Sequence, residues 1–309
     1  MVQKNSLKKP KIIAIMGPTA SGKTALAIKL AKEINGEIVS ADSMQVYKNL
    51  DIGTAKITEK EMAGVKHYLL DVANFNDRFT VSNWKDLAET AIQTILSCGK
   101  TPIIVGGTGL YISSLIYGYN FYNAEENFEI RKKYEKILEE KGAENLYNIL
   151  KEQSPILAEK VDKNKTRQVI RYLEISENCC NKENFMQEEP YNYLLLGLDI
   201  PRDTLYNRIN KRVDIMANNG LLNEVRSLIN LGFDRSSQAA QAIGYKEIFE
   251  FLDGNISEYQ AYENIKQHTR NYAKRQLTWM RKMKNLIWVD PFNYENIKNL
   301  VENFIMEEK

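Results

Sequence analysis

A phosphate-binding loop is the first stretch of the sequence with the residues to do chemistry. GPTASGKT has the spacing G-x-x-x-x-G-K-[ST], whose glycines let the backbone turn so that N–H groups point at phosphate oxygens. Lys23 is placed to reach the terminal phosphates, and Thr24 to offer a hydroxyl to Mg²⁺. The residues of this predicted site are Gly17, Pro18, Thr19, Ala20, Ser21, Gly22, Lys23 and Thr24.

The elements around the loop support this interpretation. KIIAIM, from Lys11 to Met16, is a short β-branched run, and the residues from Thr24 to Ile34 have apolar side chains at helical spacing. A loop between a strand and a helix places the positive end of the helix dipole at the phosphates. Phosphate binding alone does not decide between a kinase, an ATPase and another transferase.

Asp42 is the acid best placed to react with a second substrate. It ends the next predicted strand, and ligands of open α/β sheets lie at the carboxyl ends of strands. Asp42 can therefore act as a base, or it can cap a turn together with Ser43, and spacing does not decide between these roles. Thr108, in GGTGLY, is predicted to lie on the same rim. The strand before it ends in glycine instead of the Mg²⁺-binding acid of an NTPase.

Apolar runs along the chain predict an α/β fold with a parallel sheet. In the first 118 residues they alternate with helical stretches, as in sheets covered on both faces. We expect a P-loop NTPase-like core from residues 1–118 and 191–309, with a helical C-terminal part. Residues 119–190 are charged and helical in pattern, which predicts a helical insertion domain. The strands expected besides the first are Glu37 to Asp42, His67 to Val72, Thr101 to Gly107, Tyr193 to Ile200 and Leu286 to Asp290.

Composition argues against several classes of protein. The three cysteines form no C-x-x-C pair and only two histidines are present, which disfavours a zinc site and a disulfide framework. No apolar run is long enough to cross a bilayer, and the N-terminal residues lack the apolar segment of a secretory signal. The sequence therefore predicts a cytoplasmic protein without a membrane partner, and a monomer is the simplest expectation.

One basic segment stands out in a chain whose net charge is only +2. Between Lys266 and Lys284 the sequence has seven Lys or Arg residues and no acid. Basic side chains beside Tyr272 and Trp279 suit an RNA backbone with exposed bases, or else a helix whose cations lie over a tryptophan-anchored core. We expect both, with Trp279 mostly packed. The residues predicted to face RNA are Arg270, Lys274 and Arg275.

Five stretches, taken together, resemble the tRNA dimethylallyltransferase (tRNA isopentenyltransferase) family. In chain order they are GPTASGKT, SADSMQVYKNLDIGTAK, GGTGLY, QAIGYKE and AKRQLTWMR. The resemblance implies transfer of a dimethylallyl group from dimethylallyl diphosphate to N6 of the adenosine 3′-adjacent to the anticodon, in tRNAs that read codons beginning with U. Pyrophosphate is released and no phosphoryl group moves, which fits the missing Mg²⁺-binding acid.

The resemblance also assigns roles to single residues. It implies Asp42 as general base, Thr108 at the reacting region, and Lys23 on the departing pyrophosphate. Mg²⁺ is the implied cofactor, with Thr24 as its hydroxyl ligand. A further catalytic arginine is implied in LYNRINKRVD, and either Arg208 or Arg212 fits. The residues implied to contact the anticodon stem-loop of tRNA are Asp42, Ser43, Met44, Gln45, Thr108, Arg167, Gln168, Val169, Ile170 and Arg171. For the last five, an ordinary charged helix face is the alternative.

Other functions share parts of this pattern. A P-loop kinase of small molecules or nucleosides would use the same first 116 residues, but it would need ATP and would not need the basic C-terminal segment. An adenylate isopentenyltransferase acting on free nucleotides would not need a tRNA surface. A non-enzymatic RNA-binding protein on a decayed core is disfavoured by the intact Lys23, Thr24 and Asp42.

Overall fold

The computed structural model describes residues 9–119, 128–159, 161–178 and 189–307. The chain divides into two compact units, one made of Met1–Gly118 with Glu188–Lys309 and the other of Tyr119–Gln187. Cys179 and Cys180, and the first eight residues, lie outside the described part. No helix among the described residues is long and apolar enough to cross a membrane.

A parallel sheet forms the centre of the larger unit. Its strand order is β3-β2-β4-β1-β5-β6, and every pairing is parallel. The predicted parallel α/β fold is therefore confirmed. The strands are β1 (Lys11–Met16), β2 (Gly36–Ala41), β3 (His67–Tyr68), β4 (Thr101–Gly106), β5 (Asn192–Leu198) and β6 (Leu286–Val289).

Both faces of the sheet are covered, because its central strands direct apolar side chains to both sides. In β1, Ile12, Ala14 and Met16 pack into one core cluster, and Ile13 and Ile15 pack into the other. The helices of the larger unit are α1 (Lys23–Glu33), α2 (Glu59–Met62), α3 (Val81–Ser97), α4 (Gly109–Ile116), α8 (Arg202–Asn218), α9 (Leu221–Asn230), α10 (Tyr245–Leu252), α11 (Glu258–Met280) and α12 (Tyr294–Met306).

The third strand is shorter than its apolar pattern predicts. The run from His67 to Val72 pairs with β2 only through its first two residues. Leu69 and Asp71 have φ angles of 63° and 55°, and this left-handed conformation ends strand pairing. Asp71 accepts a hydrogen bond from Lys56 at 2.6 Å, so this acid stabilises a loop.

The smaller unit is helical and has its own apolar core. Its helices are α5 (Phe128–Gln153), α6 (Pro155–Ala158) and α7 (Thr166–Asn178), and α5 leaves helical geometry at Gly142. Val169 and Ile170 of α7 are buried in this core, with exposed fractions of 0% and 5%. Their predicted contact with tRNA needs correction, because side chains packed in a core present no surface to RNA.

Candidate active site

The phosphate-binding loop joins β1 to α1, as predicted. Gly22 has a φ of 87°, which side chains other than glycine rarely adopt. A Cβ at Gly17 would lie 2.5 Å from Oγ of Ser21. That hydroxyl is buried and has no hydrogen-bond partner in the described residues. The loop thus has a buried hydroxyl without a partner, at Ser21, and glycines that let the backbone approach a ligand closely. Both features fit an anionic ligand.

Lys23 supplies a cation at the start of α1. Its ammonium group donates to the carbonyl oxygen of Pro18 at 3.3 Å. Burial lowers the pKa of Lys23 to about 8, while the nearby Asp42 carboxylate raises it and Arg212 lowers it further. Lys23 is therefore mostly charged at neutral pH, and it is poorly solvated unless a diphosphate pairs with it.

The two candidate arginines of α8 occupy different sides of the loop. Arg212 reaches Oγ1 of Thr19 at 3.4 Å, and burial lowers its pKa while the Asp42 carboxylate raises it. Arg208 reaches the carbonyl oxygen of Ser21 at 3.4 Å, and its guanidinium lies 5.2 Å from the centroid of the Phe292 ring. Arg212 is thus the arginine whose charge interacts with Lys23 and Asp42.

Asp42 caps the turn after β2 with one of its two carboxylate oxygens. Its Oδ1 accepts the backbone N–H groups of Met44 at 2.9 Å and Gln45 at 3.3 Å, which shapes the turn after β2. No described residue donates to its Oδ2. The carboxylate is half-buried and close enough to Lys23 and Arg212 to change the pKa of both. One oxygen thus orients the side chain and leaves the other for an acceptor.

Thr108 connects the ends of two neighbouring strands. Its Oγ1 accepts the N–H of Ser43 at 3.1 Å, and its own N–H donates to the carbonyl oxygen of Ala41 at 3.2 Å. A Cβ at Gly106 would collide with that same carbonyl group. The glycine at the end of β4 is therefore needed for close packing, which brings Thr108 beside Asp42.

Gln276 belongs to this site and was missed by the sequence analysis. It lies in α11 and is 6% exposed. Its Oε1 accepts the N–H of Thr19 at 2.9 Å, and its Nε2 donates to the carbonyl oxygen of Gly107 at 3.0 Å. A single amide thus ties the phosphate loop to the loop that holds Thr108. Its only sequence signal was its place in AKRQLTWMR.

The segment that follows Asp42 is held by Glu224 of α9 and by Tyr245 of the QAIGYKE stretch. Glu224 of α9 accepts the backbone N–H groups of residues 51, 52 and 53 at 3.0, 2.7 and 3.0 Å. Tyr245 donates to the same carboxylate at 2.7 Å, and a Cβ at Gly53 would lie 2.5 Å from its ring. Gln45 in turn donates to the carbonyl oxygen of Thr54 at 3.3 Å. These contacts fix the loop that follows the residues predicted to contact the acceptor tRNA.

The residues present suit Mg²⁺ bound together with a diphosphate. No group of three or more His, Cys, Asp or Glu side chains in the described residues could hold a metal ion. The Thr24 hydroxyl makes no hydrogen bond to any described residue. Mg²⁺ usually keeps several waters and takes one or two protein ligands beside substrate phosphates. A single hydroxyl next to a phosphate loop fits that preference.

The predicted RNA-facing cations divide into two groups. Arg270 donates to Asn210 and to Gln267, each at 2.7 Å, so its guanidinium is held within the protein. Lys274 and Arg275 are exposed. In the smaller unit, Arg167 and Gln168 are exposed, and Arg171 pairs with the buried Glu174 at 3.2 Å.

A family model described as IPP transferase matches residues 45–283. The chain belongs to this family. Among its relatives, a tRNA dimethylallyltransferase of Acetivibrio thermocellus is 47% identical over 298 residues, which cover 94% of this chain and 95% of that protein. A tRNA dimethylallyltransferase of Clostridioides difficile is 45% identical and covers 97% and 98% of the two chains. Membership of the IPP transferase family makes the chain a transferase.

Solved structures agree with this membership. The full-length tRNA isopentenylpyrophosphate transferase of Bacillus halodurans superimposes with a TM-score of 0.74 at 40% identity, covering 96% of this chain and 97% of that one. A eukaryotic dimethylallyltransferase acting on tRNA gives a TM-score of 0.80 at 29% identity, and the match covers 96% of this chain and 79% of that one. The predicted resemblance is thus confirmed across both sequence and fold of the IPP transferase family.

Proposed function

We propose that this member of the IPP transferase family transfers a dimethylallyl group from dimethylallyl diphosphate to tRNA. The acceptor is N6 of the adenosine 3′-adjacent to the anticodon in tRNAs that read codons beginning with U, and pyrophosphate is released. The observation that carries the proposal is the meeting of Lys23, Arg212 and Asp42 on one rim of the sheet, where their charges act on one another.

The acceptor needs a base. The lone pair of an adenine amino group is delocalised into the ring, so N6 is a weak nucleophile. As N6 attacks the allylic carbon, its proton moves to Oδ2 of Asp42, the oxygen that accepts no described hydrogen bond. The Oδ1 bonds to Met44 and Gln45 hold the carboxylate in place during this step.

The diphosphate is both anchor and leaving group. Negative charge grows on it as the carbon–oxygen bond breaks, and Lys23, Arg212 and the loop N–H groups stabilise that charge. Thr24 would hold Mg²⁺, which supplies further charge neutralisation when bound. Thr108 orients the reacting region through its bond to Ser43. The N–H of Thr19 donates to Gln276, and those of Gly17 and Ser21 donate to the carbonyl oxygens of Gly106 and Pro18. We therefore assign the ligand to the N–H groups at the start of α1, which have no intrahelical acceptor.

The tRNA partner explains features that a small acceptor would not need. Chemistry on a stacked base requires that the base be displaced into a pocket. We assign the displaced adenosine and its neighbours to the turn formed by residues 42–45 and to Thr108, and the RNA backbone to Lys274 and Arg275. Arg167 and Gln168 are the remaining candidates in the smaller unit, while Val169 and Ile170 are dropped. A cytoplasmic location and a monomeric state belong to the same proposal.

A paired transfer assay tests this function. The purified protein is incubated with Mg²⁺, radiolabelled dimethylallyl diphosphate and either unmodified tRNA or free AMP. We expect label in tRNA at the adenosine beside the anticodon. Label in AMP alone would make the chain a nucleotide prenyltransferase, and ATP consumption without label transfer would make it a kinase.

A further inference from the structure

An open groove of about 410 Å³ runs along α11, the helix that also carries Gln276. Its lining residues recur at helical spacing, so that they share one face of the helix and the turn after it. They are Asn271, Lys274, Arg275, Thr278, Trp279 and Lys282. The groove lies within the larger unit, and no step of the mechanism above uses it as a whole.

Trp279 is fixed in this groove with part of its ring exposed. Its indole N–H donates to Oγ of Ser113 at 3.3 Å, and its ring lies where a Cβ at Gly109 would be. The side chain is nevertheless 43% exposed. The sequence predicted that Trp279 is mostly packed, and the structure shows instead a side chain that is anchored at Ser113 and Gly109 yet partly exposed to solvent.

The cations of the groove have no acidic partner. In the described residues, Lys274, Arg275 and Lys282 form no ion pair with a carboxylate. Elsewhere on α11, Lys266 pairs with Asp214 and with Glu263, both at 2.8 Å. Arg275 lies 5.7 Å from the centroid of the Tyr272 ring, which leaves its charge without a carboxylate partner. Cations of this kind around an exposed aromatic side chain are the combination that single-stranded nucleic acids bind, through phosphates and stacked bases.

We propose that the groove binds a nucleotide directly adjoining the target adenosine, with its base stacked on Trp279 and its phosphate among the three cations. This inference rests on the proposed function. Gly109, against which the ring packs, directly follows Thr108, so the ring contacts the segment that carries a residue of the candidate active site. Stacking uses the face of a base, which every base possesses, so this subsite adds affinity and positioning without selecting a sequence.

A double-mutant cycle between protein and RNA tests the subsite. Three anticodon stem-loops are compared: one intact, and two in which one neighbour of the target adenosine is replaced by an abasic residue. The affinity of the wild-type protein and of Trp279→Leu is measured for each RNA. We expect the abasic residue at one neighbour to weaken wild-type binding about tenfold. In Trp279→Leu that penalty should vanish, because the stacking partner is already gone. Trp279→Phe should retain most of it.

The matched control is Trp288→Leu. Trp288 lies on β6, outside the groove, and is 38% exposed, so its removal should leave the full abasic penalty. A full penalty retained by Trp279→Leu at both neighbours would overturn the subsite. If Trp279→Leu does not fold, the wild-type protein is tested with stem-loops that carry the fluorescent base 2-aminopurine at each neighbour of the target adenosine. Quenching of its fluorescence on binding at one neighbour supports the subsite. Unchanged fluorescence at both neighbours overturns it. A wild type that transfers no dimethylallyl group to tRNA would instead refute the proposed function.

Discussion

Asp42 uses its two carboxylate oxygens differently, and a substitution can separate the two uses. Asn at this position retains an oxygen for the N–H groups of Met44 and Gln45 but removes the base. We expect Asp42→Asn to lower the rate of transfer by about 10²–10⁴-fold, the usual contribution of a general base, with little change in tRNA affinity. Single-turnover transfer and filter binding would measure the two quantities. Near wild-type turnover with weakened tRNA binding would show that Asp42 is a binding residue.

Lys23 predicts a pH dependence of diphosphate binding. Its pKa of about 8 means that the free protein loses this positive charge as the pH rises through about 8. A diphosphate binds the charged form, so affinity should be full below that pH and fall above it. Titration calorimetry with pyrophosphate and Mg²⁺ between about pH 6.5 and 9.5 measures this.

The control for this titration is Lys23→Met, which has no charge to lose at this position. Its binding should be weaker at every pH and should lack the decline near pH 8. Because pyrophosphate itself titrates in this range, the two pH profiles are compared, and parallel profiles of wild type and Lys23→Met would contradict the assignment of Lys23 to the diphosphate.

At the scale of elements, Gln276 makes α11 part of the phosphate site. Gln276→Leu removes the bonds to Thr19 and Gly107 and leaves a buried N–H and a buried carbonyl oxygen without partners. We expect KM for dimethylallyl diphosphate to rise about tenfold or more, since an unsatisfied buried group costs about 1–3 kcal/mol. Gln260→Leu is the control, because Gln260 is exposed on the same helix. Equal effects of both substitutions would show that the loop does not depend on this amide.

Glu224 should matter for stability as well as activity. It accepts three backbone N–H groups from residues 51–53 and the hydroxyl of Tyr245. Glu224→Ala should lower the free energy of unfolding by about 2–4 kcal/mol, because several partly buried donors lose a charged acceptor at once. Chemical denaturation measures this. A loss no larger than that of Glu258→Ala, at the exposed start of α11, would mean that water replaces the carboxylate.

Local hydrophobic patterns predicted those elements in which the apolar residues are also the buried ones. The strand β1 was predicted at its observed bounds, because its apolar residues are buried on both faces. The run from His67 was overextended, since the left-handed residues Leu69 and Asp71 are not glycines and give no sequence signal. Gln276 was missed for another reason: its two partners are more than 160 residues away in the chain, and no local pattern reports such contacts.

At the scale of the whole molecule, a near-neutral protein has a local basic face, and we have proposed that this face binds RNA. Lys274→Gln with Lys282→Gln should weaken tRNA binding and reduce the slope of log affinity against log salt by about 1.5, as expected for the loss of two phosphate contacts. The matched control is Lys32→Gln with Lys246→Gln, which removes two exposed cations from other helices. An equal change of slope in the control would mean that binding follows net charge instead of this face.

The order of the strands also has a consequence for biosynthesis. Strand β1 leads into the phosphate loop, yet one of its two neighbours, β5, follows only after the smaller unit has been made. While the ribosome is still synthesising residues 119–187, the nascent chain carries the complete loop sequence beside an unpaired strand edge. Such edges promote association with other chains. A polypeptide released at this stage would therefore be a substrate for chaperones long before it could bind a diphosphate.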